Sequence, residues 1–216
     1  MHDSVKNLIY IEDLVKSRVN HDKLLKIIAV SKTFPIENIL PLIEHGHLHF
    51  GENKVQEALD KWSDIKIDNH DIKLHLIGRL QTNKVRTALK IFDYIHSLDS
   101  EKLAIKIANE QAKKEKKPKI FIQVNIGNEE QKSGIDKKNL NDFYKFCKNL
   151  NLNIIGTMCI PPNDGNTEKY FSEMNDVNKE LNFKELSMGM SEDYVEAIKN
   201  NATYIRVGSK IFGSRT

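Results

Sequence analysis

Along the chain, short apolar runs rich in β-branched residues alternate with longer stretches whose apolar positions recur every three or four residues. The runs are LLKIIAVSK (24–32), HLHFGEN (47–53), KLHLIG (73–78), DYIHSL (93–98), KIFIQVNI (119–126), NIIGTMCI (153–160), KELSMG (184–189) and TYIRVG (203–208). They read as strands. Between them, IENILPLIEHG, NKVQEALDKW, QTNKVRTALKIF, SEKLAIKIANEQAKK, KKNLNDFYKFCKNL, NTEKYFSEMNDVNKEL and SEDYVEAIKNN carry helical spacing. Strands each followed by a helix or short turn predict an α/β fold, a single (β/α)8 TIM barrel over residues 1–216. A doubly wound open sheet competes, but it has fewer strands and a glycine-rich first turn, which SKTFP is not. Val5, Leu8, Ile9, Val15 and Val19 place an extra amphipathic helix ahead of the first strand. Asn53-Lys54-Val55 with Ala58-Leu59 recurs as Asn83-Lys84-Val85 with Ala88-Leu89, a weak sign of repeated units.

Composition narrows the function classes. Thirty-three Lys+Arg against 30 Asp+Glu leave a net charge of +3, too balanced for a nucleic-acid or membrane partner recognised by field alone. The run KKEKKPK (113–119) lacks interleaved aromatics and reads as a solvated helix end. Charges interrupt the N-terminal segment, so it reads neither as a signal peptide nor as a membrane span. Cys147 and Cys159 form no CxxC pattern and suit a reducing cytoplasm. His45, His47 and His49 lack a carboxylate or thiolate at ligand spacing, so no metal site is expected. Trp62, Phe92 and Cys159 read as core.

Chemistry is expected where barrel strands end. Alternation puts Ile28, Val30 and Lys32 on one face of the first strand. If that face points inward, the Lys32 amine rises into the mouth, where desolvation favours the neutral form that attacks carbonyls. A lysine snorkelling to water fits the strand equally well. In ELSMGMSEDYVEAI, a turn through Ser187-Met188-Gly189-Met190-Ser191 leads to a helix from about Glu192, with Ser191 as N-cap. Gly208-Ser209 follows the eighth strand and opens a short helical turn. Loops after the seventh and eighth strands are where barrels commonly bind phosphate, through free backbone N–H groups. Arg206 shares a face with Tyr204 and Gly208, so it should project inward and need an acceptor, either Glu52 or a ligand atom. A lysine, a phosphate cup across the mouth and a donor between them describe a site for pyridoxal 5′-phosphate (PLP).

The chain resembles the pyridoxal phosphate homeostasis protein family, single barrels similar to the N-terminal domain of alanine racemase. The matching motifs are AVSKT (29–33), HFGENKVQE (49–57), HLIGRLQTNK (75–84), IHSLDS (95–100), IQVNIGNEEQKSG (122–134), GTMCIPP (156–162), LSMGMSEDYVEAI (186–198) and VGSKIFGSR (207–215). The resemblance implies a covalent PLP aldimine on Lys32, with Asn53, His75 and Met158 lining the ring. It assigns the phosphate cup to Ser187, Met190, Ser191, Gly208 and Ser209, and sets Arg206 against the pyridine nitrogen. Asn53 fits a helix cap equally well. Gly127, where serine is commoner, and Lys54, where tyrosine is frequent, depart from the family pattern away from the lysine and the cup.

An arginine cannot accept the ring-nitrogen proton, so the electron sink should be weak. Racemases of related fold also need a second acid/base from a further domain, and nothing after the eighth strand offers one. The expected role is therefore a non-catalytic PLP carrier in vitamin B6 and amino-acid homeostasis. It is expected to be a cytoplasmic monomer, with PLP-dependent apoenzymes as candidate recipients and no metal. The rivals are a PLP-dependent racemase, a Schiff-base aldolase acting on a phosphosugar, and a purely structural barrel.

Overall fold

The computed structural model describes residues 1–18, 25–113, 117–129 and 131–214. Val19 of the expected first helix, Leu24 of the first strand, residues 114–116 of the basic run, and Glu130 and Arg215 of the quoted motifs lie outside the described residues. Among those described, the strands are β1 (Lys26–Val30), β2 (His49–Glu52), β3 (Lys73–Leu76), β4 (Tyr94–Leu98), β5 (Lys119–Asn125), β6 (Ile135–Asp136), β7 (Ile154–Cys159), β8 (Glu185–Met190) and β9 (Tyr204–Val207). All pair in parallel. The β4–β5 and β1–β9 pairings close eight of them into a barrel, while two-residue β6 only flanks the end of β5. The barrel is the one expected from the alternation.

The helices are α1 (Asp3–Arg18), α2 (Ile36–Glu44), α3 (Val55–Asp68), α4 (Val85–Ile91), α5 (Glu101–Gln111), α6 (Leu140–Asn149), α7 (Thr167–Glu180), α8 (Tyr194–Lys199) and α9 (Ser209–Phe212). The repeated NKV…AL segments do equivalent work. Val55 and Val85 open α3 and α4, and Ala58 and Ala88 are buried one turn later. With four residues, α9 is too short to cover its share of the sheet. The preceding helix fills the gap: α1 packs against α2, α8 and α9 and buries Val5, Leu8, Ile11 and Val15. Its stripe runs through Ile11, and Ile9 sits at the edge because the 3–3–4 spacing keeps one face. Asn7 Nδ2 ties α1 to α9 by donating to the Ile211 carbonyl at 3.1 Å.

Strand alternation sets what faces the site. Ile28 and Tyr204 point inward and pack with Tyr94, Phe121 and Met158, whereas Ile27, Ala29, Ile205 and Val207 face the helices. One local expectation fails. Residues 187–190 are not a turn but the bulged end of β8, where register shifts between the Ser187–Tyr204 and Met190–Arg206 pairs. Gly189 makes this possible. Its φ is 90°, and a Cβ there would meet Ala197 Cβ at 2.5 Å and Tyr194 Cα at 3.0 Å. The next helix therefore starts at Tyr194 with Asp193 as N-cap, and not near Glu192 with Ser191 as N-cap.

Candidate functional site

The carboxyl ends of the strands surround a cavity of about 650 Å³, a size typical of small-molecule sites. Lys32, just past β1, lines it and is half-buried. Its two neighbours are anchored. Ser31 donates its N–H to the Gly51 carbonyl (3.0 Å) and its hydroxyl to Glu52 Oε1 (2.8 Å). Thr33, at φ 68°, donates its N–H to Glu57 Oε1 at 2.6 Å. Lys61 joins these anchors through the Ser31 carbonyl (2.9 Å), Glu52 (3.0 Å) and Glu57 (3.3 Å), and Trp62 Nε1 adds a bond to Glu52 Oε1 (3.0 Å). Burial pushes the Glu52 carboxyl up, against these three donors. The backbone that carries Lys32 is thus fixed on both sides by a network built from the start of the chain's second βα unit.

The glycine-rich rim lies on the neighbouring strands. β9 pairs with β1 (Ala29 opposite Val207), and β8 pairs with β9 (Met190 opposite Arg206). Met190, Ser191, Gly208 and Ser209, expected to form a phosphate cup across the mouth, thus lie on the Lys32 side of it, because closure makes the eighth barrel strand adjacent to the first. Gly208 approaches β1 closely: a Cβ there would lie 3.3 Å from Val30 Cβ. Ser191 Oγ accepts from the N–H groups of Gly208 (3.2 Å) and Lys210 (3.5 Å), so the serine expected as a helix cap instead ties the β8 loop to the start of α9. Phe34 stacks on Phe212 at 4.9 Å and covers the same seam.

Arg206 reaches the cavity from below and is buried. Its Nη1 donates to Ser187 Oγ (2.7 Å) and its Nη2 to the Cys159 carbonyl (2.9 Å). Glu52 is not its partner: that carboxylate is on the outward face of β2, engaged with Trp62 and Lys61. Burial lowers the guanidinium's proton affinity, and Asp193 opposes that, but arginine stays charged. Burial likewise raises the Asp193 carboxyl, whose Oδ1 accepts the Met190 N–H at 2.5 Å. Beneath Ser187 runs a column of imidazoles. His96 Nδ1 lies 3.0 Å from Ser187 Oγ, His75 Nδ1 2.9 Å from His96 Nε2, and His49 Nδ1 2.9 Å from His75 Nε2. Tyr94 stacks on His75 (4.1 Å) and Phe121 on His96 (4.3 Å), leaving the ring edges to meet. Burial holds His75 and His96 well below the usual imidazole value, helped at His96 by the Arg206 charge.

Of the residues expected at the site, Lys32, Asn53, Met190, Ser191, Arg206, Gly208 and Ser209 line the cavity. His75, Met158 and Ser187 do not. They are buried one layer down, His75 and Ser187 in the column and Met158 in the interior apolar cluster. Asn53 caps no helix, since Lys54 is the N-cap of α3. Gln123, Asn125 and Ser133 also line the cavity. For Gln123 and Asn125 the signal is the polar alternation in IQVN, and Ser133 falls in the same family-matching stretch, IQVNIGNEEQKSG (122–134). His49 and His96 were missed as column members. The HGHLH triplet drew attention to spacing within one segment, whereas the column is made by neighbouring strands. Among the described residues no group of His, Cys, Asp or Glu is placed to hold a metal ion, and no helix is long and apolar enough to cross a membrane.

A family model described as the alanine racemase N-terminal domain matches residues 13–216. The chain is 38% identical over 200 residues to a protein of Aquifex aeolicus named pyridoxal phosphate homeostasis protein, covering 88% of this chain and 87% of that one. A protein of Pasteurella multocida with the same name is 36% identical over 226 residues, covering 97% of both chains. Among solved structures, PipY of Synechococcus elongatus with PLP bound superposes with a TM-score of 0.86 at 33% identity, over 97% of this chain and 100% of that one.

Proposed function

The chain belongs to the pyridoxal phosphate homeostasis protein family, and on that footing we propose that it binds PLP in the cavity at the strand ends and carries it without turning over a substrate. One observation supports this above the others: an anchored lysine, a buried guanidinium and a glycine-serine rim occur together on three consecutive strands, β1, β9 and β8. The residues fit the ligand's three handles. Lys32 would supply the amine for an imine with the aldehyde carbon, the aldehyde oxygen leaving as water, and Arg206 would meet the ring nitrogen as a donor only. Along the rim, Ser191 and Ser209 would supply backbone N–H groups to the phosphate, Gly208, whose own N–H is held by Ser191 Oγ, would leave the backbone room to approach it, and Met190 would close its open side. Asn53, on the cavity wall, would border the ring, while His75, Met158 and Ser187 would act from the layer beneath.

When bound, PLP supplies a reactive aldehyde and an electron-withdrawing ring. Arg206 donates and cannot release a proton to the ring, so this site holds the cofactor better than it activates it. We place the protein in the cytoplasm, as a monomer that limits free aldehyde and passes PLP to apoenzymes that depend on it, within vitamin B6 and amino-acid homeostasis. The purified protein mixed with PLP should turn yellow. Borohydride should then fix an adduct on Lys32, and Lys32→Ala should lose it. A colourless protein, or an adduct retained in Lys32→Ala, would refute the assignment. Sustained conversion of an amino acid, lost in Lys32→Ala, would replace the carrier with a racemase-like enzyme.

A further inference from the structure

The imidazole column has a polarity that can be read from its contacts. Arg206 has no acceptor atom, so Ser187 Oγ must accept from Nη1. Among the described contacts the serine's other partner is His96 Nδ1, which leaves that nitrogen as the one place for the hydroxyl proton. His96 then carries its own proton on Nε2 and donates to His75 Nδ1. His75 in turn carries its proton on Nε2 and donates to His49 Nδ1. The last N–H, on His49 Nε2, falls at the half-buried end of the column, where β2 begins. The opposite polarity would strand the Ser187 hydroxyl proton in the barrel interior, at the cost of a buried unsatisfied donor.

We propose that Ser187, His96, His75 and His49 form a hydrogen-bond column of fixed polarity that positions Arg206 toward the cavity. Each imidazole is neutral with its proton on Nε2, and the serine hydroxyl accepts from the guanidinium while donating down the column. The arrangement gives the arginine neutral acceptors alone, Ser187 Oγ and the Cys159 carbonyl. The Asp193 carboxylate acts on this charge through space but takes none of its hydrogen bonds among the described contacts, so the remaining guanidinium N–H groups are left for whatever occupies the space above them. A carboxylate in place of Ser187 would fix the guanidinium equally well but would neutralise it. These four are positioning residues. The consequence for PLP rests on the reading of the cavity given above, but the column itself does not.

Nitrogen-15 NMR of the ligand-free protein at neutral pH, using two-bond proton–nitrogen correlations, reads the tautomers directly. His49, His75 and His96 should each show a neutral ring protonated on Nε2. Ser187→Ala should shift the His96 Nδ1 resonance and weaken PLP uptake about tenfold, since a hydrogen bond to a charged group is lost. Ser187→Thr should restore both. An Nδ1–H tautomer or a charged ring at any of the three positions overturns the column. A Ser187→Ala protein that takes up PLP as tightly as the parent, or a Ser187→Thr protein that rescues neither signal, overturns the positioning of Arg206 by the column. Three Nε2–H rings in a protein that takes up no PLP support the column and overturn only the ligand assignment.

Discussion

Lowering the pH from 7 to 5 should destabilise the ligand-free barrel steeply, and the interior histidines should be responsible. His47 and His49 are held at about 4 against an ordinary 6.5, mainly by burial. His75 and His96 are displaced in the same direction. In each case the folded value lies below the unfolded one, so the unfolded chain binds more protons over the intervening window. Stability from these groups is complete above about pH 6.5 and is lost as the pH falls from there toward 4. At pH 5 each of His47 and His49 contributes a loss of about 2 kcal/mol, from about 1.36 kcal/mol per unit. The pair alone thus costs about 4 kcal/mol, a large share of the roughly 5–15 kcal/mol that holds a typical domain folded. His75 and His96 add to the loss. Burial raises the carboxyls of Glu52, Asp99 and Asp193, whose protonation in the folded state offsets part of the effect near the acid end. The single tryptophan, Trp62, is fully buried and reports unfolding. Urea titrations followed by its fluorescence at pH 7, 6 and 5, at constant ionic strength, should show the midpoint falling from about pH 6.5 downward. A midpoint that stays constant or rises between pH 7 and 5 would refute the reasoning.

Two further outcomes follow from other parts of the barrel. Burial pushes the thiols of Cys147 and Cys159 up to about 12. Both should therefore resist a thiol reagent at pH 8 in the folded protein and react at the rate of unfolding, and rapid labelling without urea would contradict their burial. A Cβ on Gly156 would overlap the Glu185 carbonyl oxygen, a backbone atom that cannot step aside without parting β7 from β8. Gly156→Ala should cost more than about 4 kcal/mol and yield little folded protein, whereas a melting temperature like the parent's would show that the strands can separate locally.

The barrel was legible because strand alternation and helix periodicity agree along the chain. Ile28 and Tyr204 inward, with Ile27 and Val207 outward, is what the period of two requires. Local chemistry was less legible. Ser191 precedes a helical pattern and so resembles a cap, yet the positive φ of Gly189 prolongs β8 and moves the helix start to Tyr194. Arg206 was correctly sent inward, but its acceptor depends on which strands become neighbours. Ser187, nineteen positions earlier, wins over Glu52 because β8 flanks β9 and Glu52 faces outward. The histidines show the same limit: each lies on a strand that was recognised, and only the ring order β2–β3–β4 turns three separate residues into a column.

The seam between β1 and β9 joins the first and the last of the described strands. Lys32 follows β1 and Gly208 follows β9, and α1 buttresses their junction from outside. A molecule gripped by both therefore works as a clasp on the ring: it cannot be held until the final strand has docked against the first. Its binding energy accrues to the completed circle and to no partly assembled arc, so a saturating guest slows the opening of both strands together.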